Sequence, residues 1–517
     1  MLFMPERKRF LPQKTAFYLS LPIFLIGLVA YCVFCLGTSE QLFRVSVPLC
    51  PFFDIRISLG ADRLQMMFVL FASAFMPEAV LVSRRNQRLD GMFYSMLFFL
   101  QASLIGLFSS QDFFSFVFFW QISALPVFFL AGIWGRQKRI AAANRLMGFQ
   151  IVSTLLLVLG FFYAAENAHY LTGKWFFEFK DIAAAGLGRE AQFYTFAMLS
   201  LAFLARIPVF PLHTWFTSIV PENQPATNIM LSGLFVPSAL YAFARIAVPL
   251  FPLGAETFVP YLAYLCAFSC IYAAIMAWSS ISLPSMLSFV FSVHFSAILM
   301  AALCGSSVNA AISHLCGTAL NAALIFALAG ALESRTRSPY LADAAIFVRK
   351  TPRFASVAII GFASLACIPC FCGFAGINAV LNETFANNHV SSSIVLIGIA
   401  LSMICCINAL FKIVPFREED REDRNMSVGI HGVAAELNRN EFLTMLPLAV
   451  AIVFFGIFPG LSSKMFLNDK DMPKSSIETL KKDAKTEKSF KNSMEIPESR
   501  SKDKKNNPKK TVSGGKG

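Results

Sequence analysis

The chain has 517 residues, of which 56% are hydrophobic and only 15% are charged, with a net charge of +13 and a mean hydropathy of +0.60. Soluble proteins carry about 25% charged residues, and at this length they divide into several domains with alternating polar and apolar faces. Here the apolar residues come in runs of about twenty, the length that crosses a hydrocarbon core. The composition excludes an ordinary soluble enzyme and predicts an all-α integral membrane protein, because helices satisfy their own backbone hydrogen bonds in lipid.

About thirteen transmembrane helices are predicted from these runs. The first run follows a basic amino terminus, as in a signal peptide, but it is too long for one and lacks a clear cleavage site. Residues 1–58 are therefore interpreted as a basic amino terminus and a first membrane anchor. In chain order, the predicted spans are residues 17–36, 64–82, 92–109, 113–134, 146–165, 193–211, 227–250, 258–278, 284–303, 308–332, 354–378, 393–414 and 442–461.

The short loops predict the orientation, because lysine and arginine concentrate on the cytoplasmic side of a membrane. The connections at residues 109–112, 304–307 and 382–390 contain neither residue type. The amino terminus is therefore expected in the cytoplasm, and thirteen helices would place the carboxy terminus outside. The basic residues on the predicted cytoplasmic side are Arg84, Arg85, Arg88, Arg136, Lys138, Arg139, Arg335, Arg337, Arg349, Lys350 and Arg353.

The carboxy-terminal segment, residues 463–517, is rich in lysine and poor in apolar residues. It contains fifteen Lys and Arg and eight Asp and Glu, so it contributes +7 of the net charge. Only two aromatic residues, Phe466 and Phe490, lie among the basic ones, without the regular interleaving that is expected of a nucleic-acid site. The segment is predicted to be a disordered, solvated tail, and no nucleic-acid partner is expected.

Two groups of cysteines have spacings that elsewhere hold metals or iron–sulfur clusters. They are Cys32 with Cys35, and Cys367 with Cys370 and Cys372. Both groups fall on predicted membrane helices, and no further paired ligands complete a four-ligand set. We interpret these cysteines as small buried apolar residues. Because the sequence also lacks a phosphate-binding glycine loop, no cofactor and no metal site are predicted in this chain.

An internal repeat relates two halves of the predicted membrane domain, residues 59–462. The pattern A-x-L-A-x-I-P-x-F occurs at residues 202–210 and again at residues 363–371. Proline removes a helical hydrogen bond, so breaks are predicted at Pro208 and Pro369. Paired broken helices are typical of inverted repeats in transporters, here about residues 112–250 and 282–415. A chance match between apolar segments is the alternative.

Several motifs resemble, in the same order, those of one known family. Residues 112–135 read DFFSFVFFWQISALPVFFLAGIWG, which resembles the fourth-helix region of the M-type antiporter-like subunit of proton-pumping NADH:quinone oxidoreductase (respiratory complex I). LGAD at 59–62, IPVFPLHTW at 207–215 and IPCFCGFAG at 368–376 are similar to further motifs of that family. The related Mrp-type cation/proton antiporter subunits share most of them. The resemblance runs from about residue 59 to 461 and omits one amino-terminal helix of the family.

The titratable residues of the family's proton path are mostly replaced. By the resemblance, a glutamate–lysine pair becomes Gln121 and Arg206, whereas His294 keeps its place. Glutamine does not titrate and arginine stays protonated, so the resemblance implies a degenerate path. Pro237, Thr318 (rather than His314) and Ile377 occupy three further titratable positions of the family. The candidate path residues are Gln121, Arg145, Arg206, His213 and His294.

Each candidate also has a structural interpretation. Arg206 can instead hydrogen-bond the carbonyls that Pro208 frees. His213 and His294 can be hydrogen-bonded residues of the helix packing. Arg145 can extend along the helix to the membrane interface. The sequence alone leaves these alternatives open.

The resemblance implies a membrane subunit of an NADH:quinone oxidoreductase in a bacterial inner membrane, with other membrane subunits and the lipid bilayer as its partners. On this interpretation the chain itself carries no redox chemistry. Two alternatives remain at this stage. One is an Mrp-type cation/proton antiporter subunit, and the other is a structural membrane subunit that conducts nothing.

Overall fold

The structure is a computed structural model of the whole chain. It describes residues 11–36, 44–50, 55–83, 89–304, 308–336, 338–341, 351–414 and 437–460, and every structural statement below concerns these residues. The predicted tail and the first ten residues lie outside the described ranges, as do Arg84, Arg85, Arg88, Arg337, Arg349 and Lys350.

The described residues form sixteen helices, and the predicted helical membrane fold is confirmed. Ten helices are long and apolar enough to cross a membrane. The other three predicted spans fall on shorter or interrupted helices, so the number thirteen stays a prediction. The helices are α1 (Leu11–Leu36), α2 (Arg63–Val82), α3 (Gly91–Ser109), α4 (Phe113–Trp134), α5 (Arg139–Thr172), α6 (Phe179–Ala184), α7 (Arg189–Arg206), α8 (Thr214–Glu222), α9 (Pro225–Leu250), α10 (Pro252–Trp278), α11 (Leu283–Cys304), α12 (Asn309–Thr336), α13 (Pro352–Leu365), α14 (Cys372–Asn387), α15 (His389–Ile413) and α16 (Arg439–Ile457).

Burial separates central helices from peripheral ones. Helices α9, α11 and α12 are almost wholly buried, whereas α1, α5, α10 and α15 expose large apolar side chains along one side. Water would not favour such faces, but lipid does, because the exposed groups there are as apolar as the acyl chains. Among the exposed apolar residues are Ile26, Leu155, Tyr261 and Phe411. This arrangement fits a bundle whose perimeter faces the bilayer.

A β-hairpin interrupts the helical fold near the amino terminus, which the all-α prediction did not include. Strands β1 (Arg44–Cys50) and β2 (Ile55–Gly60) pair antiparallel, with Val45 opposite Leu59. Both strands alternate polar and apolar residues, the pattern of a strand with one exposed face. The predicted boundary between residues 58 and 59 falls inside β2. The hairpin also contacts the start of α4, where the Ser58 backbone N–H donates to the Asp112 carboxylate at 2.7 Å.

The chain leaves the helix around both predicted prolines. Helix α7 ends two residues before Pro208, and α8 resumes six residues after it. Helix α13 ends four residues before Pro369, and α14 resumes three residues after it. In each half, two long helices precede the broken one (α4 and α5, or α11 and α12) and one long helix follows it (α9 or α15), and the first half also contains the short α6. The predicted two-fold axis between the halves stays a prediction.

The second break has an unusual backbone. Cys367 and Cys370 adopt positive φ angles of 52° and 76°, which glycine adopts most readily. Helix α16 approaches this segment closely, because a methyl group on Gly456 would lie 2.4 Å from the Cys370 carbonyl oxygen. A side chain at position 456 would therefore collide with the break.

Ion pairs connect several of the predicted basic loops at one end of the bundle. Arg136 pairs with Glu333 at 2.5 Å, and Arg335 pairs with Glu441. The residues that cap α4 and pair with the hairpin lie at the other end, where Arg44 pairs with Glu178 at 2.7 Å. The basic residues of the α4–α5 loop, the end of α12 and the start of α16 therefore share one face of the bundle, called the basic face below.

Candidate functional site

Arg206 is the last residue of α7 and is completely buried. Its Nε donates to the Gln150 side-chain oxygen at 2.9 Å, and its Nη2 donates to the Trp120 carbonyl at 2.7 Å. A longer bond of 3.3 Å joins Nη1 to the Ser238 hydroxyl. The guanidinium carbon lies 3.5 Å from the centre of the Trp120 ring and 4.1 Å from that of Phe235. The positive charge is thus held between two aromatic faces by bonds to α4, α5 and α9.

Two features of this arrangement limit what Arg206 can do. Within the described ranges, no carboxylate lies within 4 Å of its guanidinium. Its hydrogen-bond acceptors lie on other helices rather than at the Pro208 break, so the interpretation that it binds carbonyls freed by that proline is wrong. Because arginine keeps its proton, the residue places a fixed charge, not an exchangeable one, in the first half.

Gln121 does not pair with Arg206. Its side-chain oxygen lies 2.6 Å from the Thr154 hydroxyl, which shares its one proton between that oxygen and the Gln150 carbonyl at 2.9 Å. The neighbouring residue Trp120 provides the contact to Arg206 instead, because consecutive helical residues point about 100° apart. The two positions that carry the family's glutamate–lysine pair are therefore separated here by side chains of α5.

The second half brings two histidines together. His294 on α11 is 2% exposed and His314 on α12 is 1% exposed. The His294 Nδ1 and the His314 Nε2 are 3.3 Å apart, and the His294 Nε2 lies 3.2 Å from the Leu365 carbonyl oxygen. Leu365 ends α13, and the residue four positions later is Pro369, which has no N–H to offer that carbonyl. His294 therefore forms a hydrogen bond with the carbonyl that Pro369 leaves without a helical donor.

Hydrogen-bonding rules fix the protons of this pair. A carbonyl only accepts, so the His294 Nε2 carries a proton and donates it to Leu365. In the neutral pair, the His294 Nδ1 then accepts a hydrogen bond from the His314 Nε2–H. The His314 Nδ1 remains a lone pair, buried with no protein partner.

His314 belongs to this pair but was not among the candidates that the sequence interpretation named. The resemblance placed the family's histidine at position 318, where this chain has Thr318. Residues four apart on a helix lie on the same face, one turn apart. The signal was therefore present in the sequence: a histidine one turn before the expected position can reach the same neighbouring helix.

The structure does not bring the other two candidates into either arrangement. His213 precedes α8 and is packed against the rings of Phe210 and Tyr272, with centroids 5.8 Å and 5.0 Å away. Its Nδ1 is buried without a protein partner. Arg145 is exposed on α5 and donates to the Ser218 hydroxyl on α8. Both positions suit the structural interpretations given above.

A short polar connection links the first break to the second half. The Phe210 backbone N–H donates to the Ser269 hydroxyl at 3.0 Å, and that hydroxyl is 3.0 Å from the Ser296 hydroxyl on α11. Ser296 lies two residues after His294 on the same helix. The two halves are thus joined by hydrogen bonds close to the histidine pair.

The cysteine groups singled out in the sequence show no metal geometry. Among the residues that the structure describes, no three His, Cys, Asp or Glu side chains are grouped as metal ligands. Cys372 instead lies 3.5 Å from the Ser364 hydroxyl and weakly contacts the Gly317 carbonyl at 3.7 Å. Cys367 contacts the Leu365 carbonyl at 3.8 Å.

Residues 110–404 match the family described as "NADH:quinone oxidoreductase/Mrp antiporter, TM". The chain belongs to this family. The match covers both histidines, Arg206 and both helix breaks, and it ends before α16.

Several relatives and solved structures extend the match over most of the chain. The F(420)H(2) dehydrogenase subunit M of Methanosarcina mazei is 25% identical over 461 residues, which cover 86% of this chain and 90% of that protein. A chain in the structure of respiratory complex I from Thermus thermophilus superposes with a TM-score of 0.77 at 23% identity, covering 89% of this chain and 96% of the other. A chain of the Mrp complex from a Dietzia species gives 0.71 at 16% identity, with coverages of 89% and 91%.

Proposed function

We propose that this chain is the antiporter-like membrane subunit of a complex I-type electron-transfer assembly, and that of its two repeat halves the second exchanges protons and the first does not. The His294–His314 pair is the observation that carries this proposal. It lies buried at a helix break, it is hydrogen-bonded to the carbonyl that Pro369 frees, and one of its nitrogens still has a lone pair. Imidazole gains and loses protons near neutral pH.

The pair can pass a proton in one direction through its hydrogen bonds. A proton that binds the His314 Nδ1 makes that ring cationic, and its Nε2 proton then moves to the His294 Nδ1. His294, now cationic, releases its Nε2 proton to a water molecule that enters at the break, because the Leu365 carbonyl cannot take it. Both rings are then neutral with their protons on Nδ1, and both must turn before the next transfer. Two adjacent cationic rings repel each other, so the pair holds one extra proton at a time. These steps need a small movement of the break around Pro369, where the backbone is already free of helical bonds.

The first half has no exchangeable group at the two positions of the family's glutamate–lysine pair, and its His213 has no histidine partner among the residues that the structure describes. Arg206 is permanently charged, and Gln121 does not titrate. A fixed cation between two rings also repels an approaching proton or metal cation. The isolated chain is therefore expected to pass protons poorly, and the second half is expected to work as part of an assembly.

The orientation and the membrane also belong to the proposal. The positive-inside rule favours a cytoplasmic location for the basic face and for the amino terminus. The ion pairs of Arg136 and Arg335 support it, because they bring separate basic loops to one face. We propose a bacterial inner membrane, in line with the respiratory assemblies that the relatives form.

The proposal is tested in the assembled complex reconstituted into vesicles. His294→Gln keeps a donor for the Leu365 carbonyl but cannot titrate, so it is expected to lower the protons moved per electron while electron transfer continues. His314→Ala is expected to have the same effect. His389→Ala, which changes an exposed histidine at the start of α15, is the matched control. Unchanged proton movement in both His294→Gln and His314→Ala would refute the role of the pair.

An Mrp-type antiporter subunit is the second candidate, favoured by the fold similarity to the Mrp complex. The proteins that copurify with the tagged chain in mild detergent distinguish the two. Flavin- and cluster-bearing subunits support the electron-transfer assembly, whereas small membrane subunits alone support the antiporter. A chain whose histidine variants change nothing in either assembly is a structural subunit.

A further inference from the structure

Glu78 on α2 is a buried carboxyl group outside both repeat halves and outside the residues that match the family. The residue is 4% exposed and sits one turn before the end of an apolar helix. Within the described ranges, no lysine, arginine or histidine lies within 4 Å of it. Its Oε1 has no hydrogen-bond partner in the protein. An ionised carboxylate in such surroundings is strongly disfavoured, and the nearby negative end of the α2 dipole disfavours it further.

The hydrogen bond to Thr444 on α16 indicates which state this geometry holds. The Thr444 hydroxyl is bonded to the Glu78 carboxyl, and it also donates its one proton to the Glu441 carbonyl at 2.9 Å. A hydroxyl has a single proton to donate, so toward Glu78 it acts as an acceptor. In that arrangement the carboxyl is the donor and carries a proton, the state that burial without a cationic partner also favours.

The same hydroxyl allows the proton to leave. If Glu78 loses its proton, the Thr444 hydroxyl can turn and donate to the new carboxylate. The Glu441 carbonyl then loses the hydroxyl, but it can still accept a backbone hydrogen bond within α16. Glu441 is ion-paired with Arg335 at the basic face, and Glu333 with Arg136 lies at the end of α12. The titratable groups on the helices packed around α2 thus reach from the basic face to within one turn of Thr444. Tyr94 on α3 is hydrogen-bonded to the Ser83 hydroxyl and not to Glu78.

Packing distances place Glu78 between the basic face and the histidine pair. A methyl group on Gly330 of α12 would lie 2.6 Å from a Val82 methyl carbon, and one on Gly233 would lie 3.0 Å from the Phe75 ring. Glu78 lies between Phe75 and Val82, and the Gly233 site is also close to the Ala319 carbonyl, at 3.6 Å. Helices α2 and α12 therefore run in the same direction, both ending toward the basic face, and His314, near the start of α12, lies further from that face than Glu78.

Polar atoms without protein partners lie along this interval. They are the Ser232 hydroxyl on α9 and the Asn321 side-chain oxygen on α12, and both residues are buried. Buried polar groups that no protein atom satisfies are bound by water molecules. Water bound there would connect the level of Glu78 with the level of His314.

We propose that Glu78 binds and exchanges a proton, and that it supplies the His314–His294 pair from the basic face. The supply to the histidine pair rests on the proposed function, whereas the proton-binding site itself does not. The chemistry of the site is that of a neutral carboxylic acid in an apolar helix bundle, with Thr444 as the hydrogen-bond partner that changes direction.

The site is tested on the wild-type chain with dicyclohexylcarbodiimide, a hydrophobic reagent that modifies protonated carboxyl groups in apolar surroundings. At about pH 8, where a solvated glutamate is ionised, mass spectrometry is expected to find the adduct on Glu78. The ion-paired Glu333 and Glu441 are the internal controls and are expected to remain unmodified. Absence of the adduct from Glu78 in the folded protein would overturn the site.

Infrared spectroscopy then tests exchange. The wild type is expected to show a protonated-carboxyl band that shifts in deuterated water and is missing in Glu78→Gln. A band that does not shift would mean a locked proton and would overturn exchange.

Proton movement in the assembled complex tests the supply. Glu78→Gln keeps the shape of the side chain and is expected to lower proton movement to the level of His294→Gln. An effect of His294→Gln without one of Glu78→Gln would overturn the supply. Failure of both variants to change proton movement would overturn the proposed function, whereas the adduct and the exchanging band would still establish the site.

Discussion

Two substitutions of Arg206 distinguish how its buried charge and its flat shape each affect the stability of the protein. The guanidinium is flat, and it fills the space between the Trp120 and Phe235 rings while it donates to three helices. Lysine keeps a positive charge but cannot lie flat between two rings or spread its donors in a fork. Methionine removes the charge and retains an apolar contact with both rings. We expect Arg206→Lys to be less stable than Arg206→Met.

The magnitudes follow from the contacts. A desolvated cation–π contact contributes about 2 kcal/mol, and a hydrogen bond from a charged group contributes about 1.5–3 kcal/mol. Losing one of each makes Arg206→Lys less stable by about 4 kcal/mol. Arg206→Met loses both ring contacts and all three hydrogen bonds, but the Trp120 carbonyl and the Ser238 hydroxyl each keep another bond, so only the Gln150 amide is stranded, at about 1–3 kcal/mol. The change also removes a buried charge that costs about 2.5–3.5 kcal/mol. The thioether also recovers about 0.3–1.5 kcal/mol against each ring, so the net loss is about 2 kcal/mol.

Thermal unfolding in one mild detergent ranks the variants. All are heated at the same rate, because such unfolding is often irreversible and its apparent midpoint then depends on the heating rate. Adding Gln150→Leu to Arg206→Met removes the stranded amide and is expected to recover about 1–3 kcal/mol. Arg145→Met, at an exposed arginine with one hydrogen bond, is the control and is expected to change stability by less than about 0.5 kcal/mol. Wild-type stability of Arg206→Lys, or an Arg206→Met variant less stable than Arg206→Lys, would refute the reasoning.

Three further changes test the packing around the helix ends, each by the same unfolding measurement. Gly456→Ala should destabilise by about 1–3 kcal/mol, because its methyl group would overlap the second break; wild-type stability would show that α16 lies further away. Cys370→Gly should stabilise by about 1 kcal/mol by relieving a positive φ angle, whereas Cys370→Ala should not, and equal effects would argue against strain. Asp112→Ala should cost about 1–2 kcal/mol and more than Asp90→Ala, because Asp112 caps α4 and also holds the hairpin, whereas Asp90 is known only to cap α3.

Helix positions were predictable because length and hydropathy are properties of a continuous segment. The predicted span 113–134 coincides with α4, and the predicted span 64–82 begins one residue after α2 does. Other ends differ by several residues, since helices such as α5 continue beyond the apolar run into polar sequence. The prolines also predicted where the chain leaves the helix, because the loss of an N–H is a local property of one residue.

Contacts between segments were less predictable. The hairpin depends on pairing between two short strands, and neither strand has a hydropathy signal comparable to a membrane span. In α9, the chain keeps a helix through Pro237 by widening it into π-turns at Leu231–Phe235 and Phe243–Ala247, which the sequence did not indicate. The partners of Arg206 are likewise on three helices that are distant in sequence. Each of these features depends on which helices become neighbours.

The same separation decides the last prediction, the double change Gln121→Glu with Arg206→Lys. Read from the sequence, it restores the family's titratable pair. In the structure, the two side chains do not meet: Gln121 is bonded to Thr154, whereas Arg206 is bonded to Gln150 and Trp120. A new glutamate at position 121 would therefore face α5, and a new lysine would lose the ring contacts that hold the arginine. We expect no gain in proton movement in the assembled complex, and a stability no higher than that of Arg206→Lys. A clear gain would show that the helices around Arg206 rearrange to form the pair. The lack of proton exchange in the first half would then come from the identity of residues 121 and 206, and not from the packing that separates them.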